Sequence, residues 1–144
     1  MSGIYLIVWE DRCVLESTVG GHPHVTVAYT GSKLDRAALV GFAQHALEKT
    51  AMSTLRLTRA WINSFVKEST GAERHDVLLA LEEDDLIDEL RGAFVEGFPD
   101  VGAAMRLPHV TARACATRQE AEAYMSHILD ELPMTVTVTG VTID

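Results

Sequence analysis

The sequence predicts an α+β fold, an antiparallel sheet with helices packed on its outer side. Three observations lead there. Segments of two-residue alternation or short apolar runs interleave with segments whose apolar residues recur every three or four positions. Two of the strand-like segments face each other across a short turn, as a hairpin does. The order of elements, β β α β β α β α β, lacks the strict alternation of a parallel sheet.

Each element follows from local chemistry. "GIYLIVWE" at 3–10 is a short apolar run rich in β-branched and aromatic residues, which predicts a buried strand. "GGHP" interrupts it, and "HVTVAYT" at 24–30 alternates as a second strand. At 32–50 the period changes. Leu34, Ala38, Val40, Phe42, Ala43 and Leu47 recur at helical spacing, with Ser32 as the expected cap. Strand chemistry returns at 54–67, turns through "KESTGAE", and resumes at 75–82. The next helix, 83–98, carries acids in its first turn, where the helix dipole favours them, and Leu86, Leu90, Ala93, Phe94 and Phe98 on one face. A loop is expected at 99–108 and a strand at 109–115. A helix follows at 117–132, with Thr117 and Glu120 in capping-box spacing. The last strand, 134–143, alternates cleanly, and Gly140 predicts a bulge or bend.

The 144 residues predict one domain over 1–144. Hydrophobic content of 47% and charged content of 23% suit a globular chain. A net charge of −9 disfavours a broad footprint on long duplex nucleic acid, which requires a basic face. It leaves room for a small anion, because a few arginines in a cleft focus positive potential locally. No stretch reaches the ~20 apolar residues of a membrane span, and "MSGIYLIVWEDRC" lacks the pattern of a secretory signal. We therefore expect a cytoplasmic protein without a membrane partner, with Cys13 and Cys115 as free thiols.

The string Pro-His-Val-Thr occurs twice, at 23–26 and at 108–111. Each copy opens a strand that leads into a helix, so the chain divides into two loosely similar halves. On a strand, residues two apart share a face. His24 and Thr26 therefore point together, and so do His109, Thr111 and Arg113, away from the small apolar residues between them. Burying such polar groups without partners is costly, so the pattern predicts an open polar cleft. Two imidazoles there suit phosphodiester chemistry. With ordinary pKa values near ~6.5, one ring can be neutral and the other charged. One takes a proton from the nucleophile and the other gives one to the leaving oxygen. The threonine hydroxyls and Arg113 would hold non-bridging phosphate oxygens, and this chemistry needs no metal or other cofactor.

Two His-x-Thr motifs about eighty residues apart, each on a strand followed by a helix, resemble the 2H phosphoesterase superfamily, its LigT-like members included. The resemblance covers nearly the whole chain. It implies a bilobal, pseudo-symmetric antiparallel sheet forming a V-shaped cleft with helices outside. It implies His24, Thr26, His109 and Thr111 as the catalytic set. Pro23 and Pro108 stand where the family usually has a hydrophobic residue, and are expected to fix entry into each strand. The activity expected is hydrolysis of a cyclic phosphodiester on a nucleotide or RNA end, a 2′,3′-cyclic phosphate, without metal. One alternative is the destruction of cyclic di- or oligonucleotide or 2′–5′ oligoadenylate messengers, as in viral or phage counter-defence. Another is a non-catalytic nucleotide-binding module. The expected partner is a small nucleotide substrate.

The remaining candidates rank lower. Arg113 is expected to chelate phosphate. Tyr5 and Trp61 are expected to stack on a nucleobase, worth ~1–3 kcal/mol, and Trp61, Asn63 and Phe65 share a face that suits a ligand wall. Tyr29 is placed with Val25 and Val27 under the helices. His22 is expected at the cleft mouth; His22 with His24 makes too small a ligand set for a metal. His45 and His127 read as surface or packed residues. His75 is unassigned, and Cys115, placed on the face of His109, reads as structural.

Overall fold

The computed structural model describes residues 2–10, 15, 22–30, 36–50, 54–83, 85–98, 101–103 and 108–143. The elements are β1 (Ser2–Trp9), β2 (His24–Thr30), α1 (Arg36–Thr50), β3 (Thr54–Val66), β4 (Glu73–Leu81), α2 (Asp85–Gly97), β5 (Val101–Ala103), β6 (His109–Cys115), α3 (Arg118–Leu129) and β7 (Met134–Ile143). The fold is the α+β arrangement expected. The three-residue strand β5 is an addition, lying within the segment read as a loop.

The strands form one antiparallel sheet in the order β1-β7-β3-β4-β6-β2-β5, and β1 also pairs with β2. Pairing thus runs round a ring of six strands, with β5 attached to β2. The ring has internal symmetry. β2, β1 and β7 make one half, and β6, β4 and β3 make the other. They meet at β2–β6 through Val25 and Val110 and at β7–β3 through 134–137 and 54–57.

One face of the sheet is apolar and carries the helices. Ile4, Leu6, Val25, Val27, Leu57, Val77, Leu79, Val110, Ala112 and Val136 are all buried there. Helix α1 lies against β7, α2 against β2 and β5, and α3 against β3, β4 and β6. Phe94 of α2 is the largest fully buried side chain, with Phe42 of α1 edge-on to it at 5.2 Å. Truncating a buried strand residue such as Leu79 to Ala would cost ~2–5 kcal/mol. On α1, Ala43 is buried and Val40 and Phe42 pack against the core as expected; Leu39 joins them in the core, whereas Ala38 is exposed. Ser32, Leu34 and Cys13 lie outside the described residues. Thr117 caps α3 by accepting from the Glu120 backbone N–H at 3.2 Å; the Glu120 carboxylate reaches back to the Ala116 N–H, one residue before the cap.

Four bulges interrupt the pairing among the described residues, and they fall in matching places. Val27 is the extra residue of β2 against β1, and Ala112 is the extra residue of β6 against β4. Each directly follows a motif threonine. Thr58 of β3 and Thr139 of β7 are the other two, opposite β4 and β1. The bulge beside Gly140 is the one the sequence predicts. A bulge turns the residues after it to the opposite face from the one simple alternation predicts, and this has consequences at the site.

Candidate active site

His24 and His109 each begin a strand, directly after a proline, as expected. Val25 pairs with Val110, and both valines are fully buried in the core. Continued one residue either way, that antiparallel register sets His24 opposite Thr111 and Thr26 opposite His109. The two motifs are therefore reciprocal. All four polar side chains lie on the face away from the helices, and all four are half-buried.

An aromatic edge supports each histidine. Tyr5 of β1 meets His24 with ring centroids 5.0 Å apart and planes at 79°. Trp61 of β3 meets His109 at 5.9 Å and 73°. Both aromatics thus sit at the motif, where the sequence reading placed them in the cleft. Tyr5 is largely buried and folds back over Gly3, where a Cβ would lie 2.7 Å from the tyrosine ring. Only glycine leaves that space.

The surroundings of His24 shift its titration. Burial pushes the His24 pKa below the ordinary 6.5, because an imidazolium is poorly solvated there. A hydrogen bond from its ring to the His22 backbone carbonyl opposes the shift, and the charge of His109 adds to it. His22 thus acts through its backbone while its side chain is exposed, as a residue at the cleft mouth would be.

The bulges correct three sequence-based placements. Past Ala112, Arg113 pairs with Val77 and turns to the helix side, where its guanidinium lies 5.4 Å from the centroid of the Tyr124 ring on α3. It does not share the face of His109 and Thr111. Cys115 follows it, buried opposite His75, with its sulfur in no disulfide. Past Val27, Tyr29 pairs with Gly3 and joins the face of Tyr5 and Thr26, partly exposed at 39%. The bulge at Val27 is anchored from the helix layer: Arg91 of α2 donates from Nε to the Val27 carbonyl at 2.8 Å.

The rest of the wall comes from the β3–β4 hairpin. Trp61 pairs with Leu78, Asn63 with Asp76 and Phe65 with Arg74, and Leu78 in turn pairs with Thr111. Asn63, Phe65, Asp76 and Arg74 therefore continue the motif face outward. Arg74 and Asp76 form an ion pair at 3.3 Å. The sequence reading identified Trp61, Asn63 and Phe65 as a wall and missed Asp76 and Arg74, whose face depends on pairing with distant strands.

His75 faces the other way. It is buried against the α3 side, with Nδ1 2.7 Å from the Ser64 hydroxyl and Nε2 3.5 Å from Glu73. His45 and His127 are exposed on their helices. A separate hollow of about 370 Å³ is lined by Arg56, Glu82, Glu83, Asp85 and neighbours. Its acidic lining suits phosphate poorly, so the chemistry of the histidine face outweighs its size. Among the described residues, no helix is long and apolar enough to cross a membrane.

Residues 18–143 match the 2′-5′ RNA ligase superfamily. The chain belongs to that superfamily, the 2H phosphoesterases with their LigT-like members. A search of curated proteins found no match.

Proposed function

We propose that the chain is a metal-independent phosphodiesterase that opens a 2′,3′-cyclic phosphate on a nucleotide or RNA end. The observation that carries this reading is the reciprocal pairing of His24–Thr26 with Thr111–His109 across the buried Val25–Val110 bridge. In the proposed reaction, His24 removes a proton from water as the water oxygen attacks phosphorus. His109 gives its proton to the departing ribose oxygen. The product is a ribose phosphomonoester, and the two histidines exchange protonation states. The lowered pKa of His24 suits the base role, since its ring is neutral near neutral pH. Each proton-transfer role contributes ~10²–10⁴-fold. Thr26 and Thr111 hold the non-bridging oxygens, where negative charge builds.

Ligation at a 2′–5′ linkage would use the same base and acid with a 5′-hydroxyl in place of water: His24 takes its proton and His109 protonates the departing 3′-oxygen, so the product depends on the nucleophile. The net charge of −9 favours a small substrate over long RNA. That keeps cyclic di- or oligonucleotide messengers as the second reading.

A product assay in excess EDTA tests the proposal. The wild type and a His24→Ala/His109→Ala variant are incubated with 2′,3′-cyclic mononucleotides, 2′,3′-cGAMP, 3′,3′-cGAMP and a 2′–5′ adenylate. Cleavage by the wild type alone supports the two-histidine mechanism, and the preferred substrate selects between the two readings. Nucleotide binding without any cleavage would replace both with a binding module.

A further inference from the structure

We propose that Asn63 and Asp76, opposed across the β3–β4 hairpin on the cleft wall and braced by Arg74, read the Watson–Crick edge of guanine, so that the site takes a guanosine-bearing cyclic phosphate. The inference rests on the nucleotide phosphodiesterase reading and narrows its substrate.

Position comes first. Asn63 and Asp76 are direct cross-strand partners. They lie one same-face step, roughly 7 Å, along the hairpin from the row that holds Trp61, Leu78 and Thr111. A phosphate held between the motifs therefore directs its ribose toward Trp61 and its base toward this pair. Phe65, 38% exposed, lies beyond it as an aromatic flank.

Unused hydrogen-bonding capacity is the second observation. Among the described residues, the Asn63 side chain has no hydrogen-bond partner, and Asp76 meets only Arg74, through Oδ1 at 3.3 Å. The Asp76 side chain is only 16% exposed. The Nε of Arg74 is buried without a partner. Asp76 keeps one carboxylate oxygen, and Asn63 its whole carboxamide, available to a ligand at the cleft face.

The donor pattern selects the base. An ionised carboxylate only accepts, while a carboxamide both donates and accepts. Guanine offers two adjacent donors, N1–H and the 2-amino group, beside the O6 acceptor. Asp76 takes the two donors and the Asn63 amide donates to O6. Adenine sets an N1 lone pair against the carboxylate, and cytosine sets two acceptors there. Uracil has one donor between two acceptors. Arg74 holds the carboxylate in the plane of the base.

The experiment measures kcat/KM for the 2′,3′-cyclic phosphates of guanosine, inosine, adenosine and cytidine, and, in parallel, equilibrium binding of the corresponding 3′-monophosphates. Wild type, Asp76→Asn and Asn63→Ala are compared. Hydrogen bonds to a charged group are worth ~1.5–3 kcal/mol, or about 10–150-fold. We expect guanosine to exceed adenosine by a factor in that range, with inosine, which lacks the 2-amino group, in between. Asp76→Asn should collapse the guanosine-to-inosine ratio toward one, and Asn63→Ala should narrow the guanosine-to-adenosine ratio. The same preferences in binding without turnover would support the base site while refuting the phosphodiesterase. No guanine preference in either measurement, or a preference unaltered by Asp76→Asn, overturns the inference.

Discussion

The half built on β1, β2 and β7 and the half built on β3, β4 and β6 share a motif, a bulge position and a supporting aromatic, and differ in almost everything around them. In the first half the bulge at Val27 is held by Arg91, reaching down from α2 to the Val27 carbonyl. In the second the bulge at Ala112 turns Arg113 up from the strand onto Tyr124 of α3. One arginine braces the strand and the other packs on the helix layer. Beyond the histidine, the first half closes quickly with Tyr5 over Gly3, and the second runs outward along Asn63, Asp76 and Arg74. The repeated parts supply an acid and a base, which need equivalent positions around one phosphate. The unrepeated parts hold the groups that would distinguish one substrate from another.

The largest expected effects break the shared part. Replacing either His24 or His109 with Ala should lower kcat by ~10²–10⁴-fold with little change in KM, read by steady-state kinetics on the preferred cyclic phosphate. Thr26→Val and Thr111→Val should each cost less, and by similar amounts, if the two halves serve the phosphate reciprocally. A large effect of one with none of the other would break the equivalence.

Next come the two arginines. Arg91→Met leaves the Val27 carbonyl unpaired in a buried setting, which should cost ~1–3 kcal/mol in denaturant unfolding. It should also lower kcat, because the strand segment after Thr26 loses its anchor. Arg113→Ala removes an exposed cation–aromatic contact worth ~0.5–1 kcal/mol and should leave turnover unchanged. Equal losses of activity would show that the bulges do not set the faces as described.

The smallest effect is a titration. His24 should titrate below 6.5 by NMR, and Tyr5→Ala should move it upward, because burial is the main cause of the shift. His109→Gln should also move it upward by removing a neighbouring positive charge. The sign carries into stability. The unfolded chain binds this proton more readily, so the contribution of His24 is full above pH 6.5 and is lost as pH falls through its folded value.

Much of this was legible in the sequence because it depends on local rules. The Pro-His-Val-Thr repeat, the alternation of β7 and the Thr117 cap can be read from neighbours alone. The bulge beside Gly140 announced itself through a residue that weakens a strand. The bulges at Val27 and Ala112 have no such mark; both residues are ordinary in strands. Period-two reasoning therefore carried Tyr29 under the helices and Arg113 into the cleft, and each is on the other side. Asp76 was missed for a different reason. Its face follows from a register set jointly by β3 and β6, which is information held by pairing and not by spacing. Strand β5, three residues long, is too short to show a period at all.

The measurement that tests the central claim most directly is the pH dependence of kcat/KM on the preferred cyclic phosphate in EDTA, for the wild type, His24→Gln and His109→Gln. The account predicts a bell for the wild type, with its acid limb below pH 6.5. The residual activity of His24→Gln should lose the acid limb, and that of His109→Gln the alkaline limb. Retention of both limbs in both variants would contradict the assignment of these two histidines as base and acid.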